Sequence, residues 1–150
     1  MLVALTGATG FIGRYLVYHL HDEGDELRCS HGADSDRSGY DAPADRLEWF
    51  ETELNDGNEH TFVDGCDAVI HAALYHPGGG FRGGEGDLIE FAQRNLIGSL
   101  RLIEAAYQNG GGRFVLVSTC AVHEEILDDR PLDETHPLWA TSHYGAHKAA

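Results

Sequence analysis

Apolar and polar positions follow two patterns, which alternate along the chain. Short apolar or β-branched runs predict five strands, which cover residues 2–5, 26–30, 47–50, 67–73 and 114–117. Apolar residues three or four positions apart predict helices at 12–20, 58–63 and 88–107 and a further helix that opens at 141–144. Because strands that alternate with helices pack as a parallel sheet covered on both faces, the pattern predicts an α/β fold.

The first predicted helix has an apolar stripe that should face the core. The members of that stripe are Ile12, Leu16, Val17 and Leu20. Gly24 is a plausible C-terminal stop. Polar residues 31–45 and glycine-rich residues 75–87 predict loops.

Three glycines join the first strand to the first helix. Gly7, Gly10 and Gly13 have the spacing G-x-x-G-x-x-G. The first permits a tight turn, the second lets the backbone approach a pyrophosphate, and the third allows close helix–strand packing. The helix N-terminus supplies free N–H groups and a partial positive charge to the phosphates. The motif therefore predicts a Rossmann-type, doubly wound dinucleotide-binding domain over residues 1–150, and the lack of a following Gly-Lys-Ser/Thr excludes a Walker-type loop.

Composition narrows the class of protein. A net charge of −15 argues against nucleic acid as a partner, because the phosphate backbone would be repelled. No apolar run approaches the ~20 residues of a membrane helix, and the apolar start at residues 1–5 is too short for a signal peptide. We therefore expect a cytoplasmic protein that does not enter a membrane. Its three cysteines, Cys29, Cys66 and Cys120, have no metal-like spacing and are expected to be reduced thiols.

Several short motifs resemble, in order, those of one enzyme family. They are residues 6–13 (TGATGFIG), 53–56 (ELND), 67–73 (DAVIHAA), Asn95, 117–122 (VSTCAV), 133–138 (DETHPL) and 144–148 (YGAHK). Together they resemble the extended short-chain dehydrogenases/reductases, in the NAD-dependent epimerase/dehydratase group. Members of that group run on about as far again to a substrate-binding portion, so the resemblance implies a Rossmann domain truncated before that portion.

The resemblance also implies which residues contact the dinucleotide. They are Gly7, Gly10, Phe11, Ile12, Gly13, Glu53, Leu54, His71, Ala72, Ala73, Asn95, Tyr144 and Lys148. It further implies a small-molecule substrate, a nucleotide sugar above all, and a homodimer in the complete enzyme.

Tyr144 and Lys148 are the centre of the candidate chemistry. They are four residues apart, so on a helix they share one face, and Lys148 is the only lysine of the chain. A tyrosine is a poor base at neutral pH, but an ammonium about 4 Å away favours the phenolate by up to about 4 kcal/mol at an effective dielectric of ~20. Thr119 could hydrogen-bond the substrate oxygen. Ser118 is its rival, and the resemblance favours Thr119 through its spacing to Val122 and Tyr144.

The choice between NAD and NADP stays open at this stage. NAD enzymes hold the ribose 2′-hydroxyl with an acidic residue about 20 residues past the glycines. Here the second strand runs into Ser30, His31 and Gly32, with no carboxylate. Asp34 could substitute, or His31 and Arg37 could accept a 2′-phosphate. The family group favours NAD.

Three functions remain in competition. The first is an epimerase, dehydratase or decarboxylase of nucleotide sugars, the second an NADPH-dependent ketone or aldehyde reductase, and the third a non-catalytic dinucleotide-sensing module. Intact Thr119, Tyr144 and Lys148 argue against the third function. The acidic loop at 133–138 resembles the sugar-modifying branch.

Two further signals have less weight. Arg82, in the glycine-rich loop, could meet an anionic group of the substrate. His143 and His147 have the spacing of a helical metal pair, but no third ligand lies nearby in the sequence, so we expect no metal.

Overall fold

The computed structural model describes residues 1–41, 43–77, 86–110, 112–123, 126 and 130–150. In these segments five strands form one parallel sheet in the order β3-β2-β1-β4-β5. The strands are β1 (Leu2–Thr6), β2 (Glu26–His31), β3 (Leu47–Glu51), β4 (Ala68–His71) and β5 (Arg113–Leu116). The predicted α/β fold with a parallel, doubly wound sheet is confirmed.

The helices connect these strands. They are α1 (Phe11–Asp22), α2 (Glu59–Val63), α3 (Leu88–Ala92), α4 (Gly98–Gln108) and α5 (His143–Ala149), with short 3-10 turns at Ala44–Arg46 and Cys120–His123. Side chains cap two of the helices: Asp87 accepts a hydrogen bond from the Glu90 amide (2.9 Å), and Ser142 accepts one from the Gly145 amide (3.1 Å).

The long helix predicted at 88–107 contains an irregular turn. Between α3 and α4 the backbone adopts one π-helical stretch, Gln93–Ile97. Such single wide turns occur frequently at functional sites. Asn95, at its centre, is buried.

The core lies on both faces of the sheet. Against one face, α1 packs Val17 onto Val3 and Leu5, and against the other, α2 and α4 pack Phe62 and Leu102 onto Ala4 and Val69. Alternate residues of β1 therefore enter opposite layers, and both layers are apolar. This explains why the strand reads as a continuous apolar run.

The buried stripe of α1 differs from the predicted one at its first turn. Ile12 is 50 % exposed, whereas Gly13 is buried. The reason is the close approach of the helix to the turn before it: a Cβ at Gly13 would lie 2.0 Å from the Gly7 carbonyl oxygen. Gly13 therefore takes the first buried position of the stripe, and Ile12 is exposed to solvent.

The carboxyl ends of all five strands meet at one edge. Backbone bonds continue the pairing just beyond the strands, with Ala72 N–H donating to Thr6 O (3.2 Å), Thr52 N–H to His31 O (3.0 Å) and Val117 N–H to His71 O (3.0 Å). The strand order reverses between β1 and β4, which is where open α/β sheets bind ligands. In the described part of the chain, no helix is long and apolar enough to cross a membrane.

Candidate functional site

The glycine loop has a geometry that depends on missing side chains. Gly7 has a φ of 73°, and a Cβ there would lie 2.7 Å from the backbone nitrogen of Ala73. Its carbonyl accepts the Gly10 amide at 3.0 Å, which closes the turn. Gly10 is the N-cap of α1 and carries no side chain, so no side chain of its own occupies the first-turn amides. Loop and helix together form a cradle suited to a phosphate.

A cleft of about 440 Å³ lies over this cradle at the switch point of the sheet. It is lined by seven of the predicted cofactor residues, namely Gly7, Gly10, His31, Glu53, Leu54, Ala72 and Ala73. Its size is that of a ligand pocket. The other predicted cofactor residues lie outside this lining. Phe11 and Ile12 are exposed, Gly13 and His71 are buried behind the loop, and Asn95, Tyr144 and Lys148 line a neighbouring cavity.

The end of β2 forms one wall of the cleft. His31 is buried and its Nδ1 donates to the Gly32 carbonyl at 2.9 Å. Asp34 and Arg37, the alternative ribose or phosphate ligands, are exposed and do not line the cleft. The Arg37 guanidinium lies 6.0 Å from the centre of the Trp49 ring instead.

A charged cluster forms the wall beside it. Arg94 Nη1 donates to Glu53 Oε2 at 2.6 Å, and Arg94 Nε lies 3.2 Å from Glu90 Oε1. The same guanidinium lies 4.3 Å from the centre of the Tyr75 ring. Sequence reasoning missed Arg94, although its position directly before Asn95 on the long helix was a signal that could have found it.

Behind the cleft, a buried chain of hydrogen bonds joins β1, β4 and the long helix. His71 Nδ1 lies 2.6 Å from Thr6 Oγ1, and His71 Nε2 lies 2.8 Å from Ser99 Oγ. Ser99 uses its one hydroxyl hydrogen on the Asn95 carbonyl (2.5 Å), so His71 Nε2 must donate to Ser99, and in the neutral imidazole Nδ1 then accepts from Thr6. Thr6 Oγ1 in turn accepts a hydrogen bond from the Ala73 amide at 3.1 Å.

The pKa of His71 agrees with a neutral imidazole. Burial, and after it the charge of Lys148, lowers this pKa to about 4.

Asn95 holds the segment that follows β4. Its Oδ1 accepts the Tyr75 amide at 2.8 Å and its Nδ2 donates to the Tyr75 carbonyl at 2.9 Å. Both backbone groups of Tyr75 are thereby satisfied by one side chain of the π-helical turn. Asn95 therefore positions a wall of the cleft.

The candidate acid–base residues lie around a second cavity. Tyr144 and Lys148 share a face of α5 and line a cavity of about 220 Å³ together with Asn95. Lys148 Nζ donates to the Val117 carbonyl at 3.0 Å, and burial lowers the pKa of its ammonium. Thr119 lies two residues beyond that carbonyl and accepts the Ala121 amide at 3.2 Å. The structure thus brings Tyr144 and Lys148 together and leaves Thr119 in the loop after β5, outside the cavity lining.

The remaining signals from the sequence are Arg82 and the pair His143 and His147. Arg82 lies outside the described residues. His147 stacks on Phe91, with ring centres 5.2 Å apart, and no group of three His, Cys, Asp or Glu side chains within the described ranges could hold a metal ion.

Known proteins resemble this chain in sequence and in fold. A model of the NAD dependent epimerase/dehydratase family matches residues 3–150. A protein of Synechocystis sp., named provisionally as a dihydroflavonol 4-reductase, is 28 % identical over 96 % of this chain and 40 % of its own length. Among solved structures, MoeE5 in complex with UDP-glucuronic acid and NAD is 27 % identical with a TM-score of 0.82, over 99 % of this chain and 46 % of that one. UDP-N-acetylglucosamine 4-epimerase from Methanobrevibacter ruminantium is 26 % identical with a TM-score of 0.84, over 98 % of this chain and 46 % of that one.

The chain spans less than half the length of these three proteins. The matched part of this chain contains the glycine loop, the cleft above it and the helix that carries Tyr144 and Lys148. Since the family model covers nearly all of the sequence, this chain belongs to the NAD-dependent epimerase/dehydratase family.

Proposed function

We propose that this chain binds NAD and that the complete protein epimerises or dehydrates a nucleotide sugar by hydride transfer. One observation carries the proposal: the cleft over the glycine loop and the cavity that holds Tyr144 and Lys148 share Ala73 and Leu74 as a common wall. A dinucleotide whose pyrophosphate rests on the glycine loop would therefore extend toward the acid–base residues.

The residues of the cradle fit such a cofactor. Gly7 allows the tight turn against Ala73, Gly10 leaves the backbone open to the pyrophosphate, and the first turn of α1 offers amides to it. When bound, the nicotinamide ring would accept and return a hydride. Asn95 and the buried chain from Thr6 to Ser99 hold the surrounding walls in place.

This chain would supply the residues that transfer the proton. Tyr144 would take a proton from a sugar hydroxyl as the hydride leaves, and give it back on return. Lys148 lines the same cavity from the same helix, and its ammonium would support this proton transfer. Thr119 would donate its hydroxyl hydrogen to the substrate oxygen.

A nucleotide sugar is favoured as substrate by two of the structural neighbours, one bound to UDP-glucuronic acid and one named as a UDP-N-acetylglucosamine epimerase. The second candidate is a reductase of ketones or aldehydes, which the name of the Synechocystis relative favours. A homodimer of the complete protein stays a prediction.

The test incubates the complete protein with UDP-sugars and, separately, with a panel of ketones plus NADH or NADPH. We expect a UDP-sugar to change without net consumption of added dinucleotide. A protein that turns over only ketones, with stoichiometric loss of reduced dinucleotide, would support the reductase instead. A protein that binds NAD tightly yet turns over neither class would favour the sensing module.

A further inference from the structure

The end of β2 lacks the carboxylate that an NAD site places there, and the structure puts one in that position from the next strand. β2 and β3 are neighbours, with His31 opposite Glu51, and Thr52 N–H donates to His31 O at 3.0 Å. Glu53, two residues past Glu51, therefore follows β3 alongside Gly32. A Cβ at Gly32 would lie only 2.6 Å from Glu53 Oε1. The carboxylate of Glu53 thus occupies the space that a side chain at the end of β2 would have taken.

The position of this carboxylate is held from both sides. The Glu53 amide donates to Asp56 Oδ2 at 2.7 Å, which orders the backbone after β3. At the other end, Arg94 donates to Glu53 Oε2 at 2.6 Å and is itself stacked on Tyr75. The carboxylate therefore does not depend on a ligand for its place.

The local charge is negative despite the arginine. Arg94 is shared between Glu53 and Glu90, so this group of three carries two negative charges and one positive charge. Glu59 also lines the cleft, and its Oε1 is buried with no hydrogen-bond partner. A guanidinium already engaged by two carboxylates is a poor site for a further anion.

We propose that Glu53 selects NAD against NADP in this protein, by taking over from β3 the role usually filled by an acidic residue at the end of β2. A ribose 2′-hydroxyl can donate to a carboxylate in this position. A 2′-phosphate cannot donate, and it carries up to two negative charges into a wall that is already negative. Gly32 contributes as well, because a Cβ there would displace the Glu53 carboxylate from its present position. The inference rests on the proposed function, namely that this cleft binds a dinucleotide.

The test measures the dissociation constants of NAD and NADP on the complete protein by isothermal titration calorimetry. We expect the unchanged protein to bind NAD at least about tenfold more tightly than NADP. Glu53→Gln keeps the shape and removes the charge, so it should reduce that preference by about tenfold. Glu51→Gln is the matched control, because it removes the same charge two residues earlier, at the end of β3 and outside the cleft lining, and it should leave the preference unchanged.

A second variant keeps the charge and moves it. Gly32→Ala should displace the Glu53 carboxylate and weaken NAD binding by about three- to tenfold. Gly32→Ala also tests the role of Glu53 if Glu53→Gln does not fold. Equal affinity of the unchanged protein for both dinucleotides, or a preference that neither variant lowers by threefold, would overturn the inference and leave the proposed function intact. Failure of the unchanged protein to bind either dinucleotide would overturn the proposed function and the inference with it.

Discussion

Thr6 Oγ1 and His71 Nδ1 lie 2.6 Å apart at the point where the two central strands of the sheet end. Thr6 directly precedes the glycine loop, and His71 directly precedes the Ala72–Ala73 wall of the cleft. The bond therefore joins the two segments between which a dinucleotide would lie. The imidazole is fully buried, which lowers its pKa and favours the neutral form, and in that form Nε2 donates to Ser99 and Nδ1 accepts from Thr6.

This preference for the neutral form makes the fold sensitive to mild acid. The pKa of His71 is lowered by burial, and then by Lys148, to about 4 from its ordinary value of 6.5. The unfolded chain thus binds one more proton between these values, and the fold loses stability as the pH falls through that window. The loss from this group amounts to about 2 kcal/mol between pH 7.5 and pH 5. Urea unfolding of the complete protein at the two pH values measures it.

Two variants separate His71 from the other histidines. In His71→Gln the free energy of unfolding should change less with pH, by about 2 kcal/mol over the same interval. His60→Gln, at an exposed position of α2, should keep the pH dependence of the unchanged protein. Equal pH dependence in His71→Gln and in the unchanged protein would show that His71 is not the responsible group.

Gly13→Ala should destabilise the fold. The added Cβ would lie 2.0 Å from the oxygen and 2.7 Å from the carbonyl carbon of Gly7, which are backbone atoms that cannot swing aside. Overpacking of this kind costs about 1–3 kcal/mol, and more where the backbone cannot move. Gly10→Ala is the control, since its Cβ would meet only the Gly7 oxygen, at 3.2 Å. The midpoints of urea unfolding should order the unchanged protein and Gly10→Ala above Gly13→Ala, and the reverse order would contradict the close-packing role of Gly13.

Gly10→Val should act on binding rather than on folding. Its branched side chain would enter the cleft where the pyrophosphate must approach the backbone. We expect NAD affinity to fall at least about tenfold, or about 1.4 kcal/mol. Calorimetry that finds normal NAD binding in a folded Gly10→Val protein would remove the phosphate-loop assignment.

Much of this architecture could be predicted from the chain itself, because its causes are local. The apolar runs, the glycine spacing and the opening of the last helix at 141–144 each act through near neighbours in sequence. The π-helical turn at Gln93–Ile97 could not be predicted, since the apolar repeat of the long helix continues through it. The contact between Glu53 and Arg94 joins residues 41 positions apart and depends on how the π-helical turn lies beside the segment after β3. Its chemistry was visible in the sequence, but its geometry was not.

Tyr144→Phe should leave binding intact and stop turnover. The substitution keeps the ring against the cavity wall and removes only the oxygen that transfers a proton. General acid–base groups contribute roughly 10² to 10⁴-fold, or about 3 to 5 kcal/mol of barrier. Steady-state kinetics of the complete protein should show that loss in kcat, with the dissociation constant of NAD unchanged. A kcat within a few-fold of the unchanged protein would contradict the role of Tyr144.

Two substitutions of Lys148 test whether its charge or its packing supports proton transfer by Tyr144. Lys148→Met removes the ammonium and its bond to the Val117 carbonyl, so kcat should fall and the alkaline-rising limb of the pH–rate profile should move to higher pH. Lys148→Arg keeps a cation on the same face of α5 and should return part of that shift, even where the larger side chain lowers kcat. The dissociation constant of NAD shows how much of either effect comes from cofactor binding. If Lys148→Met lowered kcat but left the pH–rate profile in place, the lysine would act by holding α5 against the end of β5, and the electrostatic account of Tyr144 would be wrong.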